Sequence, residues 1–369
     1  MYSLGIIKSQ PLRLVLTMGA VSLCIMLMLF LLGIYKGVAD GSVEYIRRNN
    51  ADLWVLQKNC TNILRGTSLL SAWQEITIGE NPEVESVSPV LFLLSSVKNK
   101  KGNSTVFLTG YDPGSRFGGP PVLIQGRTVK NGREIVLDEA YAQKSGVDLN
   151  ENINIQDQSF KVVGFSKGTN AFVIQYAFTT IDKARSLIGF PGLTTCYIIK
   201  VQAGSDINKV RSDLSEKLTG TAIYTQQEFL NNNIREMESG FLPILYAVAS
   251  LGAVVLTVIL SLILSINILE KKKDFAVMKI LGATSGFLAV TVIKQAMIII
   301  IAGAAVAVVL YFPAAAGIHY LSPEVSTENT FIQLLAVFSA AVGMGLISSF
   351  FAIQRIRKIY ALEVFYENK

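Results

Sequence analysis

Residues 269–284 read LEKKKDFAVMKILGAT and combine charged and apolar side chains that could contact a partner or a membrane surface. Wound as a helix, they put Val277, Met278 and Leu281 on one side and Lys272 and Lys279, seven apart, on another. Glu270, Lys271 and Asp274 add charges of both signs at the near end. Gly282 is placed to stop the helix, since glycine takes the left-handed conformation that closes a C-terminus. A short basic amphipathic helix can lie on lipid headgroups or dock against a partner, and the spacing alone leaves both open. One other residue stands out. Lys294 sits inside an apolar run, where an ionisable group is a functional candidate. It also lies roughly 10 Å of helical rise past Phe287, close enough for its stem to snorkel to the headgroups.

Other chemistry is not provided for. A P-loop needs Gly-Lys followed by Ser or Thr to cradle phosphates, and none of the 29 glycines precedes a lysine. The single histidine, His319, leaves no base for a Ser-His-Asp arrangement. One histidine and three dispersed cysteines give no metal-ligand spacing. No catalytic, cofactor-binding or metal site is expected. Cys60 and Cys196 are candidates for a bridge in an oxidising compartment, which spacing cannot decide.

The elements that position the 270–282 segment are membrane helices. Half of the chain, 51%, is apolar, too much for a soluble protein of 369 residues. Four stretches are long enough to cross a bilayer: Leu14–Ile34, Phe241–Leu269, Phe287–Phe312 and Phe331–Phe351. The first run exceeds a signal-peptide core and no small-residue cleavage site follows, so it reads as an anchor. Basic residues gather beside the membrane: Lys8 and Arg13, Lys271–Lys273 with Lys279, and Arg355, Arg357 and Lys358. Loop Pro313–Thr330 has neither Lys nor Arg. The positive-inside rule therefore places both termini and residues 270–286 in the cytosol, and the large segment between spans one and two outside. No basic patch is joined to a soluble binding module, which excludes a nucleic-acid partner.

The predicted fold is a membrane α-helical protein of four transmembrane helices, with a large extracytoplasmic α+β domain inserted between helices 1 and 2. Its parts are residues 1–35 (cytosolic N-terminus and first span), 36–240 (external domain with helical stalks), and 241–269 (second span). Then come 270–286 (cytosolic helix), 287–312 (third span), 313–330 (external loop), 331–351 (fourth span) and 352–369 (cytosolic tail). Strands are predicted at Asp52–Leu56, Val90–Val97, Thr105–Leu108, Glu134–Leu137, Lys161–Phe165 and Thr195–Val201. Helices are predicted at Ser68–Ile78, Glu139–Ser145, Asp182–Ile188 and Ile207–Leu218. Asp112–Gly126, dense in Gly and Pro, reads as a loop. Gly37–Asn50 and Gln226–Ser239 read as charged helical continuations of spans one and two. The small residues Gly303-Ala304-Ala305 with Ala307, and Ala340-Ala341 with Gly343 and Gly345, permit close helix packing.

These residues resemble the MacB/FtsX-type ABC permeases, in the DevC-like and lipoprotein-transport-like group without a fused ATPase. The family segment Glu-Arg-Arg-x-Glu-Ile-x-x-x-(Lys/Arg)-x-x-Gly-Ala is matched by Glu270, Lys271–Lys272, Asp274, Lys279 and Gly282-Ala283. Gln295-Ala296 continues the match, as do Ala352 with Arg355 and Glu363-Val364-Phe365, although Tyr360-Ala361 replaces the family's Asp-Pro. Val84–Pro89, Gly110–Pro113 and Ile135–Glu139 resemble elements of the MacB-type periplasmic domain.

The resemblance implies a multi-pass permease of the bacterial cytoplasmic membrane. Residues 270–281 would be a coupling helix held by a cytosolic ABC ATPase, which binds the ATP, so this chain needs no cofactor. Implied partners are a second permease copy, membrane lipid, and in some systems a membrane-fusion adaptor with an outer-membrane channel. The expected function is to turn ATP-driven closure into motion of the external domain for efflux or extraction. The alternatives are an FtsX-like regulator of a cell-wall hydrolase and a receptor without transport.

Overall fold

In the computed structural model, residues 11–99, 102–171, 174–325 and 329–357 are described. The calls on Lys8, Lys358, Tyr360-Ala361 and Glu363–Phe365 lie outside them. The chain divides into two compact units. One comprises Met1–Lys36, Pro243–Ile318 and Thr327–Lys369, the other Gly37–Leu242 with His319–Ser326.

The first unit is built on four long apolar helices: α1 (Pro11–Asn49), α6 (Gln226–Glu270), α8 (Ser285–Leu321) and α9 (Phe331–Arg357). All four have apolar windows long enough to cross a membrane. Close approach between them rests on glycine. A Cβ at Gly303 would lie 2.7 Å from Val21 on α1, and one at Gly345 would lie 2.0 Å from Ile300 on α8. Gly303 and Gly345 thus serve packing within the chain, whereas Gly343 faces open space. Gly345→Val is expected to force α8 and α9 apart, costing about 1–3 kcal/mol of the kind seen for overpacked sites. A lowered melting temperature of the detergent-solubilised chain checks this.

α8 runs on past the predicted boundary at Phe312, through Pro313 to Leu321. Proline removes one backbone donor and crowds the preceding turn, but Ala314–Ala316 follow and restore a strong helix preference. His319 therefore stands in the last turn of a helix.

The second unit centres on one mixed sheet. Among the described residues its strand order is β13-β1-β12-β3-β4-β10-β6-β8-β5, with β7 bridging β3 and β8. The strands are β1 (Leu53–Gln57), β3 (Val84–Asn99), β4 (Gly102–Tyr111), β5 (Val122–Gly126), β6 (Glu134–Asp138), β7 (Asn152–Ile155), β8 (Gln158–Lys167), β10 (Ile174–Thr180), β12 (Cys196–Val201) and β13 (Thr221–Thr225). Two-residue strands β2 (Leu70–Ser71), β9 (Asn170–Ala171) and β11 (Leu193–Thr194) complete the set. The β4–β10 and β6–β8 pairs are parallel and the remaining pairs antiparallel. The helices are α2 (Ala72–Gly79), α3 (Glu139–Ser145), α4 (Ile181–Ile188) and α5 (Ile207–Lys217).

Two predictions need correction. The predicted helix from Ser68 begins only at Ala72, because Leu70–Ser71 pair with Leu193–Thr194 first. Asp112–Gly126 is not loop throughout, since Val122–Gly126 pairs with β8. Its Gly/Pro density hid a short edge strand.

Three motifs flagged in the sequence prove to be structural. Val84–Pro89 opens β3, and Asp112 Oδ1 accepts from Gly114 N at 2.9 Å in the turn after β4. Asp138 caps α3, accepting from Ala140 N at 2.9 Å and from the Thr169 hydroxyl at 2.7 Å.

Both long helices that lead into this unit are anchored in its core. On α1, Tyr45 and Ile46 are fully buried, and Tyr45 stacks on Tyr176 at 5.2 Å and meets Phe92 edge-on. The Tyr45 hydroxyl donates to Gly118 O, and Gly118 N donates to Asn49 Oδ1. At the start of α6, Trp54 Nε1 donates to Gln226 Oε1 at 2.6 Å, and Gln226 Nε2 donates to Ile46 O at 2.7 Å. Gln226 thus ties the end of α1 to the start of α6. These continuations are charged on their outer faces, but their inward faces carry the buried Tyr45, Ile46 and Phe229. Cys60 and Cys196 lie in the same core cluster as free thiols.

Arg127 holds Glu134 with paired bonds of 2.6 and 2.7 Å. The guanidinium, helped by the Lys130 amide, lowers the Glu134 carboxyl from 4.5 to about 2. Its contribution to stability is therefore complete above pH 4.5 and lost as pH falls toward 2. Glu134→Gln is expected to flatten that part of the acid-unfolding curve, measured by circular dichroism.

Candidate functional site

α6 ends at Glu270, and after Lys271 the chain turns into α7 (Lys272–Ile280). The helix closes as its glycine predicts. Gly282 has φ +92°, and Ala283 N donates to Met278 O at 2.9 Å. A side chain here would strain the backbone, so Gly282→Val is expected to fray α7 at a cost of about 1–2 kcal/mol. Faster amide exchange at residues 278–281 checks this.

The buried side of α7 is Phe275 and Ala276. They pack with Leu264 and Ile268 of α6, Leu288, Val292 and Ala296 of α8, and Ala352 of α9. Sequence reasoning passed over both, although Phe275 is the largest apolar side chain in the segment. Lys272 and Lys279 share that side and are half-buried, as is Met278. The outward arc is different. Val277 is 44% exposed, Ile280 62% and Leu281 80%, and Lys273 and Asp274 beside them are exposed too. The predicted cluster of Val277, Met278 and Leu281 therefore divides, with Met278 turned toward the bundle and Ile280 taking its place.

Positions 277, 280 and 281 make one stripe on a helix face, flanked by charges of opposite sign. Glu270 is exposed and Lys271 half-buried at the joint. Phe275 fixes α7 on the bundle while the stripe stays open, so the arrangement has an anchored side and a free one. Lys294 is exposed on α8, whereas its neighbour Gln295 is buried. That placement keeps its charge out of the bundle interior. Among the described residues no His/Cys/Asp/Glu group could hold a metal ion.

Residues 14–217 match the MacB-like periplasmic core domain, and residues 246–361 match the FtsX-like permease C-terminal domain. The chain belongs to the MacB/FtsX-type ABC transporter permeases. It is a multi-pass membrane protein, and the inserted α+β unit is its extracytoplasmic domain. Membership of this family implies an ATPase partner. A relative from Staphylococcus epidermidis, the putative hemin transport system permease protein HrtB, is 22% identical over 96% of this chain and 97% of its own length. The ABC transporter permease MJ1507 of Methanocaldococcus jannaschii is 25% identical over 40% of this chain and 39% of its own. The periplasmic region of MacB from Actinobacillus actinomycetemcomitans aligns over 50% of this chain and 94% of that structure, with 15% identity and a TM-score of 0.41.

Proposed function

We propose that this permease is driven by a separate cytosolic ABC ATPase that grips α7, and that nucleotide-driven closure moves the extracytoplasmic domain to expel or extract a substrate. The open stripe Val277, Ile280 and Leu281 on an otherwise anchored helix carries this reading. Apolar residues at the centre of a contact supply affinity, and the flanking Lys273 and Asp274 supply specificity. The family segment Glu270, Lys271, Lys272, Asp274, Lys279 and Gly282 coincides with α7 and its two ends. Motion delivered at α7 reaches α6 directly across Lys271.

Two features support transmission to the outer side. α1 and α6 are continuous over 39 and 45 residues, about 58 and 68 Å of rise, against a hydrocarbon core of about 30 Å. Gln226 joins their outer ends. A second permease copy would complete the assembly, with exposed apolar faces of α1 and α6 at the seam. Both termini lie in the cytosol in this reading. An adaptor and outer-membrane channel would join where the cell has an outer membrane.

Orientation is the first test. A single cysteine in a Lys273→Cys variant, with the native cysteines replaced by serine, is expected to react with an impermeant maleimide in inverted vesicles and not in intact cells. Labelling from outside overturns the reading.

A further inference from the structure

The extracytoplasmic domain carries a basic groove that the permease reading leaves unused. β6 and β8 run parallel with Glu134 opposite Lys161, and Lys161 N donates to Arg133 O at 2.8 Å. β7 then places Asn152 opposite the same Lys161. The ladder therefore gathers Arg133, Lys161 and Asn152 at one place. α4 adds Lys183, whose ammonium donates to Gln158 Oε1 and lies 5.6 Å from the Phe160 ring centre. Lys183 stands in the first turn of α4, where the helix dipole disfavours a cation.

Two adjoining hollows of about 450 and 460 Å³ share Arg133, Lys161 and Lys183 in their walls. Their one carboxylate, Glu134, is already saturated by Arg127, the Lys130 amide and Asn131. Apart from Arg127–Glu134, ion pairs of this domain among the described residues, such as Lys144–Glu324 and Lys200–Asp52, lie elsewhere. A third hollow of about 710 Å³ continues past Asn131, Gly132 and Lys183, and there Glu75, Asp112 and Asp182 balance Lys130, Lys183 and Arg185. The excess of positive charge is therefore confined to the two smaller hollows. Like charges crowded in a concave wall attract a counter-charge and concentrate it locally. Ammonium, guanidinium, amide and hydroxyl donors together suit an anion with several oxygens.

We propose that the groove formed by Arg133, Lys161 and Lys183, with Asn152 and Ser159, binds a phosphate-bearing anion on the outer side of the membrane. Two sources share that chemistry, a soluble diphosphate and a phospholipid headgroup. The test uses the full chain in neutral detergent at low salt, without ATPase, so it stands apart from the coupling reading. It is titrated with inorganic pyrophosphate, dihexanoylphosphatidylglycerol and dihexanoylphosphatidylcholine. Saturable binding of pyrophosphate or of the glycerol lipid is expected, one per chain and weakened by 0.5 M salt. The Lys161→Glu/Lys183→Glu variant should bind at least about tenfold more weakly. Lys58→Glu, which follows β1 toward the opposite end of the sheet, should change affinity by less than about twofold.

Arg133→Glu, at an exposed turn position, repeats the loss should the double variant melt early. Pyrophosphate binding indicates the soluble source, and binding of the glycerol lipid alone indicates the headgroup. No saturation with either ligand overturns the site. Equal binding by wild type and charge-reversed variants overturns it too.

Discussion

Ile280→Asp combined with Leu281→Asp is expected to abolish co-purification with the ATPase subunit and to remove permease-dependent stimulation of ATP hydrolysis. Both side chains are mostly exposed, so the substitutions leave the packing of Phe275 and Ala276 untouched. Their loss from a binding face is another matter. Buried apolar anchors at interface centres are worth about 2 kcal/mol or more each, so the pair should weaken association by a factor of several hundred or more. Burying two unpaired carboxylates adds to the loss. The measurement is pull-down of the ATPase by the tagged permease, with melting temperature as the folding control. Retained pull-down with intact stimulation would remove α7 as the coupling element. Phe275→Ala serves as the contrast, since it should lower stability through lost burial before it affects binding.

Trp54→Ala is expected to be the most damaging single change in the extracytoplasmic domain. Trp54 is fully buried, stacks on Phe229 at 4.8 Å and donates to Gln226. Truncating a buried tryptophan costs about 3–5 kcal/mol, a large part of what holds a domain of this size. The effect should also be functional. Without Trp54, Gln226 loses its donor and the tie from α6 to Ile46 of α1 loosens. Gln226→Leu separates the two effects, because it removes the tie while keeping most of the volume. It should lower melting only modestly, by about 1–3 kcal/mol for the groups left unpaired. Transport should fall disproportionately if α1 and α6 act as one lever. Hydrogen exchange at residues 45–49 and 226–233 reports the tie directly. Unchanged transport in Gln226→Leu would mean the helices need no such link.

Much of the site was legible in the sequence because its signals are local. Four runs of about 20 apolar residues are long enough to be spans, and the four long apolar helices fall on them. Gly282 marks the end of α7 by its conformational freedom alone. Several strands and Glu139–Ser145 announced themselves through β-branched runs and helical spacing. Where signals were mixed, the reading failed. The predicted third span ends at Phe312, yet the helix runs through Pro313 and the alanines after it to Leu321. Val122–Gly126 looked like loop, but partner strand β8 turned it into sheet.

What the sequence alone determined was membrane insertion, the order of the elements and the segment that faces the ATPase in the proposed mechanism. These follow from hydropathy, charge beside the membrane and backbone preference, which act over one helix or strand at a time. Tertiary structure decided which side of α7 is free. The bundle of α6, α8 and α9 claims Phe275 and Ala276 and leaves Ile280 outward, a choice no helical wheel contains. It also decided that Tyr45 and Ile46 of the charged α1 continuation are core residues, and that Arg133, Lys161 and Lys183 share a groove. Those outcomes depend on residues far apart in the chain, so only the folded contacts fix them.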